Sequence, residues 1–63
     1  MTDEEYGVWR VIQVGRKTNH PIPDREVLEL AIATGLSTGV DAKRSIEIFE
    51  AVLAGKKPGA PPL

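Results

Sequence analysis

Two prolines within three residues, Pro21 and Pro23, forbid any long helix across the first third of this chain. Proline locks φ, lacks an N–H and pushes the preceding residue out of the helical region. Gly35 and Gly39 add a second break, and Gly55 with Pro58, Pro61 and Pro62 a third. What remains is three stretches, each of roughly helix length for a small globular domain. With 63 residues and no Cys, no disulfide or thiolate–metal site holds them together, so mutual packing must.

The first stretch opens Thr2-Asp3-Glu4-Glu5, the spacing of a capping box, with three acids at the positive end of the helix dipole. Val8, Val11, Ile12 and Gly15 then share one helical face, with Trp9 beside them as a core aromatic. Arg10, Gln13, Arg16 and Lys17 share the other. The run Val8 to Val14 is also rich in strand formers, but Val11 and Ile12 are adjacent and break strict alternation. Helix is the reading that fits.

The second stretch predicts a helix from Arg25 to about Thr34, capped by Asp24 or opened by Pro23, with Gly35 in the left-handed position after its end. The third starts at Ser37 or at Asp41. From Ala42 onward, Ala42, Ile46, Phe49 and Leu53 line a stripe with Ser45 and Val52 beside it, and Ile46, Phe49 and Leu53 are the expected core centre. The expected fold is all-α: a compact three-helix domain over residues 1–55 with a helix-turn-helix-like hairpin. Residues 56–63, rich in Pro and Gly, form a mobile tail.

Function classes narrow by exclusion. A single His and no Cys leave little for a metal site or a nucleophile, so the expectation is a protein that is not an enzyme and needs no cofactor. His20 reads as a surface-loop residue. Thr34 to Gly39 lacks the Gly-Lys-Ser/Thr ending of a phosphate loop and reads as a cap and turn. The acidic start and the brevity of the apolar run Leu30 to Val40 predict a cytoplasmic protein with no membrane contact.

The spacing of Ala31, Gly35 and the following Leu36-Ser37 is that of a helix-turn-helix, whose second helix meets base edges with its first residues. On that reading Ser37, Thr38, Lys43 and Arg44 contact duplex DNA. Arg16 and Lys17, with Arg10 and Arg25 in the same block of net charge +3 over residues 10–25, form either a second stripe of phosphate contacts or a solvated helix surface. Counted on from Gly35, however, the positions that should enter the core fall on Asp41 and Arg44.

Residues 27–55, with Ala31, Gly35-Leu36-Ser37 and then Ala42 and Ile46 four apart, also resemble the N-terminal helical hairpin of the HU/IHF histone-like family. The resemblance implies a self-associating hairpin and hence a homodimer. It carries no DNA-gripping arm, and the linker after Ser37 is one residue longer here. Two functions follow: a small helix-turn-helix-like nucleic-acid-binding or regulatory protein, or a helical protein–protein interaction module of the phage or plasmid adaptor or inhibitor kind. A net charge of −1 and a pI near 5.7 favour a protein partner, and the motif favours DNA.

Overall fold

The first helix, α1 (Asp3–Lys17), begins by closing its own cap. The Thr2 amide donates to Glu5 Oε1 at 3.0 Å and the Glu5 amide donates to Thr2 Oγ1 at 3.1 Å, so two otherwise orphaned donors are satisfied reciprocally. The structure is a computed structural model that describes residues 1–17 and 22–56. His20 and the chain beyond Lys56 lie outside the described residues, and with them the expected loop histidine and tail. Residues 8–14 are helical, as the broken alternation predicts.

Helix α2 (Asp24–Thr38) begins one residue earlier than expected. Pro23 is its N-cap, so Asp24 occupies the first turn and does not cap it. Proline suits this boundary because its own carbonyl accepts from Glu26 and Val27 while its missing N–H costs nothing. The helix also runs past Gly35, which corrects the expected end at Thr34. The left-handed cap is Gly39, at φ 100°, and the amides of Gly39 and Val40 both donate to the Gly35 carbonyl.

Gly35 serves a different purpose. It is buried where α2 meets α3 (Ala42–Leu53). A Cβ built there would overlap Ser45 Oγ and stand 3.2 Å from the Val40 carbonyl oxygen. Glycine is therefore required by contact and not by its φ. Gly15 plays a milder version of the role in α1, where a Cβ would come within 3.2 Å of Val27 Cγ2.

Asp41 caps α3, its carboxylate accepting from the Arg44 amide at 2.8 Å, which resolves the choice between Ser37 and Asp41. Gly55 ends the helix as expected, at φ 73°, with Gly55 donating to Val52 and Lys56 to Ala51. The α2–α3 link is thus the short turn Gly39-Val40-Asp41, a helix-turn-helix-like hairpin.

The core gathers Val8 and Ile12 from α1, Val27 and Ala31 from α2, Val40 from the turn, and Ile48, Phe49 and Val52 from α3. Trp9, Ile22 and Leu28 pack against it, half-buried. Two of the three expected core centres are corrected: Ile46 is 36% exposed and Leu53 45%, and only Phe49 is buried. The α3 face that turns inward is Ser45, Ile48, Phe49 and Val52, spaced three and four apart. Ser45 and Val52, expected beside the stripe, belong to it.

Two stability tests follow. Ile48→Ala should cost about 2–5 kcal/mol and Ile46→Ala about 1 or less, read from urea midpoints. Equal losses would restore the expected stripe. Gly35→Ala gains about 1 kcal/mol of helix propensity but should lose about 1–3 to overpacking, for a net loss. Ser45 Oγ has no hydrogen-bond partner among the described residues, so Ser45→Ala alone should be near neutral yet recover part of the Gly35→Ala loss in a double-mutant cycle. Simple additivity would show that the two do not touch.

Candidate nucleic-acid interface

Glu5 decides where the cations of α3 go. One of its carboxylate oxygens closes the α1 cap. The other, Oε2, accepts from Arg44 Nε at 2.8 Å across 39 residues of sequence. Glu47 stands 3.7 Å from the same guanidinium. The side chains of Glu5 and Arg44 are 9% and 15% exposed, so this pair is largely withdrawn from water. Charge-assisted bonds of this kind are the stronger ones, and breaking one partner from a desolvated pair is costly.

The Thr2 amide and then the Arg44 guanidinium hold the Glu5 carboxyl below its ordinary pKa of 4.5, against the opposing pull of burial.

Around this pair lies a groove of about 460 Å³ lined by Thr38, Lys43 and Arg44 but also by Glu4, Glu5, Asp41 and Glu47. Four carboxylates share the surface on which phosphate was expected. Ser37 and Thr38 do not stand at the start of the second hairpin helix at all. They are the last residues of α2, and their hydroxyls donate to carbonyls of that helix: Ser37 to Thr34, Thr38 to Thr34 and Gly35. Lys43 is exposed beside the Arg44 pair. The structure therefore brings Thr38, Lys43 and Arg44 together, but within a mixed and mainly acidic setting.

Arg16 and Lys17 lie elsewhere. Arg16 stands 3.4 Å from Asp24, an exposed pair that anchors little. Together with Trp9, Gln13, Val52, Gly55 and Lys56 they line a groove of about 580 Å³ between the ends of α1 and α3. A second groove of about 440 Å³ adjoins it along α1, lined by Tyr6, Trp9, Arg10, Gln13, Val14 and Lys17. Trp9, Gln13 and Lys17 belong to both. No carboxylate lines either groove among the described residues. Arg10, Lys17 and Lys56 are exposed and make no ion pair among the described residues.

Tyr6, 44% exposed, and Trp9 form a tilted ring pair with centroids 5.2 Å apart. The sequence names Arg10, Arg16 and Lys17 for a cationic stripe here, and the structure adds Tyr6 and Lys56 to the same surface. The signal available was the Tyr6, Arg10, Gln13, Lys17 spacing, which traces one helical face.

Among the described residues no group of three or more His, Cys, Asp or Glu is placed to hold a metal ion, and no helix is long and apolar enough to cross a membrane. No family model matches the chain, and no curated protein or solved structure does either.

The Glu5 contact predicts a pH dependence. A carboxyl whose folded pKa is depressed favours folding when ionised, so its contribution is complete above about 4.5 and lost as pH falls through the lower folded value. Glu5→Gln should lower stability at neutral pH and flatten the acid limb of a stability–pH curve in that window. An unchanged acid limb would show that Glu5 does not titrate with folding.

Proposed function

We propose that this chain is a small, non-enzymatic nucleic-acid-binding module that meets phosphates through the outer face of α1 and the end of α3, not through the start of α3. The observation that carries this reading is the pair of joined grooves lined by Arg10, Arg16, Lys17 and Lys56 with no carboxylate lining them among the described residues. A net charge of −1 does not prevent it, because screening confines the effect of distant charges to about 8–10 Å. The carboxylates of Glu4, Glu5, Asp41 and Glu47 line the other groove.

A second reading, a protein-interaction module, draws on different residues. Leu30, Leu36, Ile46 and Leu53 are exposed apolar side chains on α2 and α3. The same faces would serve the self-association that the HU/IHF resemblance implies.

Fluorescence anisotropy on labelled nucleic acid at about 50 and 200 mM salt tests the first reading. Three phosphate contacts, from Arg10, Lys17 and Lys56, correspond to a loss across that range of about 40-fold on a duplex and about 20-fold on a single strand. Arg10→Glu/Lys17→Glu should abolish binding, while Lys43→Glu should leave it within about twofold. Loss on Lys43→Glu with Arg10→Glu/Lys17→Glu silent would return the site to the start of α3. No binding at low salt would leave the apolar reading.

A further inference from the structure

Resting on the nucleic-acid reading of the α1 face, we infer that its ligand is single-stranded, with Tyr6 and Trp9 as a stacking surface for unpaired bases. Three observations converge on this.

The first is the aromatic pair itself. Tyr6 is nearly half exposed in a chain that has only three aromatic residues, and it lies over Trp9 at a ring-centroid separation of 5.2 Å and an angle of 41°. Trp9 is half-buried against the core, so the pair is a fixed surface and not a loose side chain. Both rings line the groove that also holds Arg10 and Lys17. Aromatic rings set among cations suit a strand whose bases are free to stack, since every base presents a π-face. In a duplex those faces are already covered by neighbouring base pairs.

The second is the direction of α1. A helix that reads a duplex enters the major groove and usually contacts bases with its N-terminal residues. The N-terminal turn of α1 is Asp3, Glu4 and Glu5. Helical periodicity puts Asp3, Arg10 and Lys17 on one line, seven residues apart. A duplex groove tracked along the whole helix would press Asp3 and Glu4 against phosphate. A single strand needs only the part from Tyr6 to Lys17, about 16 Å of helix, and leaves the acidic turn outside.

The third is the shape of the surface. The groove along α1 continues past Trp9, Gln13 and Lys17 into the cleft between α1 and α3, where Arg16 and Lys56 add charge. The two grooves share Trp9, Gln13 and Lys17, so rings and cations line adjoining stretches of surface, which a flexible strand can follow.

Trp9 is the only tryptophan, so its emission reports directly on the site. The test titrates the full chain at low salt with an oligothymidylate of about ten nucleotides, a duplex of similar phosphate count, and polyglutamate. The expected result is quenching of Trp9 by the oligothymidylate and affinity at least about tenfold above the duplex. Tyr6→Ala should weaken the oligothymidylate by about five- to a hundredfold and leave the duplex unchanged. Circular dichroism confirms that this exposed substitution keeps its helices.

Duplex binding equal to that of the oligothymidylate, with Tyr6→Ala silent, overturns the single-strand assignment while leaving the nucleic-acid reading intact. Polyglutamate competing as well as the oligothymidylate overturns it in favour of an acidic peptide. Failure of both nucleic acids to bind overturns both readings together.

Discussion

The Glu5 carboxylate is the constraint on which the arrangement of this molecule depends. Each of its oxygens serves a different helix. One satisfies the Thr2 amide at the head of α1, and the other holds Arg44 at the head of α3. A capping residue is normally a local device, worth about 1 kcal/mol to its own helix. Here it also sets the rotation of a helix 39 residues away. With Arg44 drawn towards α1, the face holding Ser45, Ile48 and Val52 must turn inward and Ile46 must turn out. The same bond removes Arg44 from the pool of cations free to meet a ligand.

The α2–α3 contact answers to a second, steric requirement. Ser45 and Gly35 meet so closely that neither position tolerates volume. Small residues on both sides let the helix backbones approach, and dispersion then acts over more atoms of Ala31, Ile48 and Phe49. The Ser45 hydroxyl, without a hydrogen-bond partner among the described residues, is the residual cost of that approach. Glycine in the middle of α2 weakens the helix by itself, so its presence is explained by the packing it permits and not by any turn.

These two contacts also explain what was legible in the sequence. The capping box, the proline break, the three helices and the Gly55 stop are local features, decided within a few residues, and all were readable. The end of α2 was not. Glycine serves both as a left-handed cap and as a contact residue, and only a neighbour distant in sequence tells Gly35 from Gly39. The α3 stripe was misread for a similar reason: Ser45 counts as polar in any pattern, and its burial depends on α2. For the site, Arg16 and Lys17 were readable as a cationic helix end. Around Lys43 and Arg44, the offsetting carboxylates of Asp41 and Glu47 were readable as near neighbours, but Glu4 and Glu5 were not, because they come from the far end of the chain.

The direction of the helices gives the charge distribution its meaning. Glu5 joins the heads of α1 and α3, and Arg16, Lys17, Val52 and Lys56 share a groove at their other ends, so the two helices run roughly parallel. Their macrodipoles then add instead of cancelling. Acids at the paired N-termini and Arg16, Lys17 and Lys56 near the paired C-termini each find a stabilising field, whatever the protein binds. Those charges alone therefore say little about function. Arg10 is different: it sits in the middle of α1, where the end charges have little reach, and it makes no ion pair among the described residues. Tyr6 is likewise a large ring left nearly half in water that the core does not use. The fields at the helix ends account for the charges there but not for these two residues, and it is on their shared groove that the proposed site rests.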